Sequence, residues 1–238
     1  MSTSTTAMAS STSTYNTSAF WERLWRMSGI NFLVFLIIAY FICGPQPQVG
    51  ASADALVAFY DGHRTRILIA AIVSGMAILN LLWFAAALRT ALADAGRDGW
   101  GGAATASSAA FGGLFLLLVA MGAALAYSTA GSGNHALTSG LNDFAWACFV
   151  LTSFPRAMLV MSSAFGFWRA GLISNALFGT GVAVVVLVLL GGTTWVSGGV
   201  WAPDGVYSRF VSPIVSFAWL LVVSRVLLTR SPPTRAGW

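Results

Sequence analysis

The chain has 238 residues, of which 57% are hydrophobic and only 8% are charged, and its mean hydropathy is +0.78. Soluble globular domains carry about 25% charged residues, so this composition excludes a water-soluble fold. The net charge of +5 does not indicate a nucleic-acid partner, because the basic residues, all arginine, are scattered among loops between apolar segments. We therefore expect an all-α, polytopic membrane protein built as one helical bundle.

The two ends of the chain differ in composition from its middle. Residues 1–19 are mostly Ser, Thr and Ala, without the basic and apolar regions of a secretory signal peptide, which predicts a Ser/Thr-rich N-terminal tail. The transmembrane domain is expected over residues 20–229. Residues 230–238 are then a short C-terminal tail.

Six apolar segments are long enough to cross a bilayer as helices. We predict these spans at about residues 27–43, 67–92, 106–127, 144–168, 172–195 and 210–228. The glycine-rich stretches at 93–105 and 129–142 are predicted as loops, and residues 51–66 as a segment whose apolar part favours a surface-lying helix.

The third span opens with small residues at helical spacing. Small residues four apart let helices approach closely, so we expect this face to pack against a neighbouring helix. The residues are Ala106, Ala109, Ala110 and Gly113.

The arginines are distributed unequally between the two sides of this six-span arrangement. The side with both termini holds Arg23, Arg26, Arg89, Arg97, Arg169, Arg225, Arg230 and Arg235. The other side holds Arg64, Arg66 and Arg209. The positive-inside rule then places both termini in the cytoplasm, which predicts a multi-pass protein of the inner (plasma) membrane.

Pro155 and Arg156 lie near the middle of the fourth span. A charge at bilayer depth costs about 2.5–3.5 kcal/mol on insertion scales, so it indicates a functional site by default. Pro155 cannot donate a backbone hydrogen bond, so it frees the carbonyl of Leu151 and is expected to kink the helix.

A polar stripe runs along the same helix. Helical spacing puts Thr152 and Ser163 on the side of Arg156, with Ser153 near its edge. One interpretation is a ligand-binding or partner-binding site that accepts an anion. The alternative is that Arg156 bonds to carbonyls at the kink, or extends towards the interface, and serves packing alone.

A second group of candidates lies on the outer side. It contains His63, His135, Asp61 and Asp143, and histidines with carboxylates can bind zinc, copper or iron. Their spacing matches no recognised ligand motif, and loop residues of these types commonly face water. A metal site here is therefore the weaker interpretation.

Several catalytic patterns are missing from the sequence. It contains no phosphate-binding P-loop, no His-Glu-x-x-His, no Gly-x-Ser-x-Gly, and no carboxylate within a predicted span. We therefore expect no catalytic residues and no cofactor, which argues against an enzyme.

Three stretches carry a resemblance. They are a short tryptophan-flanked first span, the outer run Phe59-Tyr60-Asp61-Gly62-His63-Arg64, and the second span ending in Ala-Leu-Arg-Thr-Ala-Leu. The chain resembles the uncharacterised multi-pass membrane proteins of unknown function common in GC-rich bacteria. This resemblance covers about the first half and implies no activity or site residue.

Three functional hypotheses follow. The first is a non-catalytic subunit or assembly partner of a larger membrane complex, using Arg156 and the small-residue face as contacts with lipids and other subunits. A homo-oligomer is an alternative, because the fifth span is almost pure valine and leucine at its middle. The second is a carrier or binder of a lipid or small hydrophobic anion at Arg156. The third is an outer-face metal-binding protein.

Overall fold

The computed structural model describes residues 25–229, and every regular element there is helical, as predicted. The α-helices are α1 (Ser28–Cys43), α2 (Ala53–Tyr60), α3 (Arg64–Asp94), α4 (Asp98–Ala124), α5 (His135–Leu151), α6 (Ser153–Arg169), α7 (Asn175–Gly191) and α8 (Ser212–Leu228). Further helical turns continue α4 (Leu125–Thr129 and Ala130–Ser132) and precede α8 (Tyr207–Val211). The predicted tails, 1–19 and 230–238, lie outside the described residues.

Four helical segments are long and apolar enough to cross a membrane. They are Arg64–Asp94, Asp98–Ser132, His135–Arg169 and Tyr207–Leu228. Two further apolar helices, α1 and α7, have 16 and 17 residues and are shorter. By helix length and composition this is a helical membrane protein.

Both glycine-rich stretches predicted as loops are mostly helical, which corrects the predicted boundaries. Only residues 95–97 separate α3 from α4, and Gly96 ends α3 with a φ of 69°. Near the other stretch, Asn134 caps α5 by accepting a hydrogen bond from the backbone N–H of Leu137. Glycine and serine have low helix propensity, but packing within a bundle overrides it.

The interior contains one large apolar cluster. It joins α1, α3, α4, α6 and α8 through buried side chains that include Phe32, Leu81, Phe84, Phe111, Phe167 and Trp219, and the partly buried Phe178 and Val184 of α7 pack against it. The ring of Phe32 meets Phe111 and Phe217 edge to face, with centroids 6.2 and 5.8 Å apart. A smaller cluster around Leu56, Tyr60 and Leu125 fixes α2 against α3 and the end of α4.

Contacts between helix termini define two ends of the bundle. At one, Arg26 donates to the carbonyl of Leu227 and Arg97 donates to that of Arg169. We call it the arginine end, because it holds Arg26, Arg89, Arg97, Arg169 and Arg225. The opposite end, the histidine end, holds His63, His135, α2 and the 44–52 loop.

The predicted packing face of α4 is exposed in this chain. Ala106, Ala109, Ala110 and Gly113 have no neighbouring helix over them among the described residues. The opposite face of α4 packs instead, with Gly101 against Arg89 and Gly112 against Ile78. Small residues occur on both faces, so their spacing alone did not distinguish the packed face from the exposed one.

Candidate functional site

Arg156 belongs to a span of 35 residues that is nearly continuous. Helices α5 and α6 are separated only at Thr152, whose φ of −60° and ψ of −17° stay in the right-handed helical region. The break lies three residues before Pro155, where the missing N–H weakens the hydrogen-bond ladder. Arg156 follows one turn later and is buried, with 3% of its surface exposed.

The guanidinium of Arg156 turns back towards the break. Its Nε donates to the carbonyl of Thr152 at 3.3 Å, and Nη2 donates to the hydroxyl of Ser153 at 3.0 Å. The Phe149 ring lies 5.9 Å from the guanidinium carbon, within the range of a cation–π contact. The proline was expected to free the carbonyl of Leu151, but the guanidinium bonds to that of Thr152.

The end of α7 and the start of α8 meet beside Ser153. The hydroxyl oxygens of Ser153 and Ser212 both lie within 3.0 Å of the place where a Cβ on Gly191 would stand. Only glycine permits this approach. The Ser212 hydroxyl is fully buried and has no hydrogen-bond partner among the described residues.

The charge of Arg156 has no carboxylate counterpart in residues 25–229. The one ion pair within that range joins Arg89 and Asp98 at 3.5 Å, at the arginine end. The C-terminal carbonyls of α7 contribute partial negative charge near Ser153, equivalent to about half an elementary charge for a helix end. Two guanidinium N–H groups donate hydrogen bonds, and the other three have no acceptor in the described chain.

Ser163 is separate from this group, although it lies on the same helix. Its hydroxyl donates to the carbonyls of Leu159 and Val160 and accepts from Nε1 of Trp219 at 2.9 Å. Seven residues of helix correspond to about 10 Å along the axis, so Ser163 and Arg156 are two turns apart. The predicted stripe therefore consists of an Arg156 group, with Thr152 and Ser153, and a separate bond to α8.

Three residues in this region were not identified from the sequence as site residues. They are Gly191, Ser212 and Trp219. The available signal was a glycine at the end of an apolar helix, but which side chains would meet it depends on how three helices align.

The candidate metal ligands lie at the histidine end. His63 and His135 are exposed, and the carboxylate of Asp143 accepts the N–H of Gly50 at 3.2 Å. Asp61 is also exposed. Within residues 25–229 no three His, Cys, Asp or Glu side chains are grouped closely enough to hold a metal ion. The structure therefore does not bring these four residues together as one metal-binding group.

A polar network fixes the histidine end. The hydroxyl of Tyr60 donates to Asn142 at 3.0 Å, and Asn142 donates to the carbonyl of Gln48 at 3.1 Å. Nε1 of Trp146 donates to the carbonyl of Pro47 at 2.9 Å. Burial raises the pKa of Tyr60, which keeps its hydroxyl protonated and able to donate. These bonds hold α2 and the 44–52 loop on α5, so the network is structural.

Comparison with known proteins adds no family to this description. No protein-family model matches the chain, and neither do the curated proteins or the solved structures with which it was compared. The resemblance to uncharacterised multi-pass membrane proteins therefore stays a prediction, and the functional argument depends on geometry.

Proposed function

We propose that this protein is a non-catalytic membrane subunit that binds other membrane helices through the exposed small-residue face of α4. One observation carries the proposal. Ala106, Ala109, Ala110 and Gly113 are all exposed and recur at helical spacing, and a Cβ on Gly113 would meet nothing within 4 Å. This face lies on a membrane-length helix, and no described part of the chain covers it.

Another transmembrane helix is the expected partner of this face in a bilayer. Lipid tails are as apolar as side chains, so helices associate in bilayers mainly by close packing, and small residues let their backbones approach. The inner face of α4 already uses this device, because Gly101 and Gly112 admit Arg89 and Ile78. The outer face has the same composition without a neighbour, which fits a helix of another subunit or another copy of the chain.

The alternative, a carrier of a lipid or hydrophobic anion, is supported less well. It requires ligand-sized space beside Arg156, and the nearby positions are occupied by close packing of Ser153, Gly191 and Ser212. Thr152, Ser153, Arg156 and Ser163 are all buried within the chain. An outer-face metal-binding function has the weakest support, since its candidate ligands form no group.

The decisive experiment is native mass spectrometry of the untagged protein, extracted from its own membrane in mild detergent. We expect further protein chains at fixed stoichiometry. Gly113→Leu should lose those chains, because the leucine side chain would prevent close approach of another helix to this face. Gly179→Leu is the matched control, because Gly179 is also exposed on a membrane helix with nothing within 4 Å of its Cβ position. A solitary chain carrying a lipid adduct would reject assembly in favour of a carrier.

We also infer six membrane crossings with the arginine end in the cytoplasm. The short helices support this, because Arg66 at the start of α3 donates to the carbonyl of Ile42 near the end of α1, and Gly191 of α7 meets Ser212 of α8. The end of each short helix thus meets a membrane-length segment within its first turns. The described part of the arginine end has five arginines and two aspartates, against three arginines and four aspartates at the other end.

Cysteine labelling tests this topology. Single cysteines would be placed at Ser52 (histidine end) or Gly96 (arginine end), after replacing Cys43 and Cys148 with alanine. An impermeant maleimide added to intact cells should label Ser52→Cys and leave Gly96→Cys unlabelled until the cells are opened. The reverse pattern would place the arginine end outside.

A further inference from the structure

We propose that residues 192–206, which join α7 to the helical turn before α8, form a membrane-anchoring loop. Its exposed apolar side chains insert into the phospholipid leaflet at the histidine end of the bundle. This goes beyond the assembly role, because the 192–206 loop is separate from the exposed face of α4.

The first argument is the apolar surface of the loop. Trp195, Val196, Val200 and Val206 are all exposed, and no described part of the chain covers them. Asp204 is the one charged residue among residues 192–206. Apolar surface left in water costs about 25 cal/mol per Å², and a concentration of it on a folded protein indicates an interaction surface.

The second argument is the depth of the loop in the bilayer. Gly191, the last residue of α7, meets Ser153, which lies about 24 Å along α6 from the exposed Arg169 at the arginine end. Beyond the loop, the guanidinium of Arg209 lies over the ring of Trp146, about 34 Å from Arg169 along the same span. A charged, exposed arginine lies in the headgroups, and the hydrocarbon core is about 30 Å thick. The two ends of the loop therefore flank the boundary between hydrocarbon and headgroups.

The third argument is continuity with surfaces that face lipid. The last turn of α7 exposes Leu189 and Leu190, and Phe210 and Ile214 are exposed where α8 begins. Exposed apolar side chains thus continue from α7 through the loop into α8, a helix that belongs to a membrane-length segment. Phospholipid is the occupant that the outer surfaces of the flanking helices already require in a bilayer.

Hydrogen bonds within the loop and to α7 make this location favourable. The N–H of Val196 donates to the carbonyl of Trp201, and the N–H of Tyr207 donates to that of Val200, both at 3.3 Å. The hydroxyl of Tyr207 donates to the carbonyl of Leu187 at 2.8 Å, which holds the end of the loop against α7. Internal bonds lower the cost of moving backbone groups out of water. The apolar side chains are therefore presented by a folded loop at the level of the interface.

Fluorescence quenching tests the proposal on the full-length protein in phosphatidylcholine vesicles. After Cys43 and Cys148 are replaced with alanine, Val200→Cys would carry an NBD label. The quenchers are iodide in the water and a phosphatidylcholine with a nitroxide near the top of its acyl chain. We expect strong quenching by the nitroxide lipid and about fivefold weaker quenching by iodide than for a water-facing label, because the side chain lies at the headgroup–acyl boundary.

Ala136→Cys is the matched control with a water-facing label. Ala136 is also exposed at the histidine end, but it lies about 50 Å from Arg169 along the span of α5 and α6, well beyond the hydrocarbon core. Iodide should quench this label strongly and the nitroxide lipid only weakly. Because both labels are at the same end, a mixed orientation of the protein in the vesicles affects them equally.

Val196→Cys should give the same result as Val200→Cys, so the test does not depend on one labelled variant. Iodide quenching equal to that of the Ala136 label would place the loop in water and overturn the proposal. Protection from both quenchers would show that another protein chain covers the loop, which also overturns lipid as the occupant. Quenching of these labels leaves the α4 face to its own test with Gly113→Leu.

Discussion

Two helix crossings in this bundle bury an unpartnered serine hydroxyl against a glycine. In the Gly29 crossing, α1 meets Ser224 of α8; in the Gly191 crossing, α7 meets Ser212 of the same helix. Both serines are fully buried. In both crossings a Cβ on the glycine would overlap the serine hydroxyl, so the two share one close-packing device at opposite ends of α8.

The crossings differ in the third side chain that each contains. At the Gly29 crossing it is Phe84, whose ring lies 2.6 Å from the Cβ position. At the Gly191 crossing it is Ser153, which accepts a hydrogen bond from Arg156. The same backbone approach therefore lies beside an aromatic ring in one place and beside the hydrogen bond between Ser153 and Arg156 in the other. The neighbouring helix, not the glycine–serine pair, determines the chemistry.

Adding a methyl group should damage both crossings. We expect Gly29→Ala and Gly191→Ala each to lower the free energy of unfolding by about 1–3 kcal/mol, because overpacking displaces neighbouring side chains. Unfolding in detergent with increasing SDS measures this change. Gly113→Ala is the control, since its Cβ would meet nothing within 4 Å. Losses no larger than that of the control would show that neither crossing is tight.

Removing the opposing serine should then have different effects on stability at the two crossings. Gly191→Ala with Ser212→Gly should recover most of the lost stability, because only the Ser153 hydroxyl, at 3.0 Å, then opposes the new methyl group. Gly29→Ala with Ser224→Gly should recover little, because the Phe84 ring stays at 2.6 Å.

Double-mutant cycles with the single serine variants give the two coupling energies. We expect about 1–2 kcal/mol of compensation at the Gly191 crossing and much less at the Gly29 crossing. Equal coupling energies in both cycles would mean that the third side chain has no influence on how much stability is recovered.

Replacing Arg156 with methionine should make the Gly191 crossing resemble the other one. Met has a similar length and no charge, and replacing buried ionic groups with apolar ones is often neutral or stabilising. We expect the free energy of unfolding, measured in detergent with increasing SDS, to stay the same or to rise by about 1 kcal/mol. A clear loss would show that the bonds to Thr152 and Ser153 outweigh the burial of the charge.

The features that the sequence predicted correctly depend on the spacing of residues within a single helix. The helical class follows from apolar segments of membrane length, and Thr152 and Ser153 were placed near Arg156 because residues three and four apart share a helix face. The structure shows both as hydrogen-bond partners of Arg156.

Relations between helices were not predictable in this way. The meeting of Gly191 with Ser212 depends on how far α7 and α8 slide along one another, which no periodicity within either helix records. The exposed face of α4 was assigned to packing because small residues permit close approach on either side of the helix. The glycine-rich start of α4 was predicted as a loop, since intrinsic propensity does not include tertiary contacts.

The smallest expected effect is the most specific test of the comparison. Ser212→Ala and Ser224→Ala each remove a hydroxyl that has no partner in the described chain, so both should change the free energy of unfolding by less than about 0.5 kcal/mol. A larger loss for Ser212→Ala than for Ser224→Ala, measured by unfolding in SDS, would show that the Ser212 hydroxyl is bonded in the folded protein. Equally small changes would mean that the two crossings differ only in their third side chain.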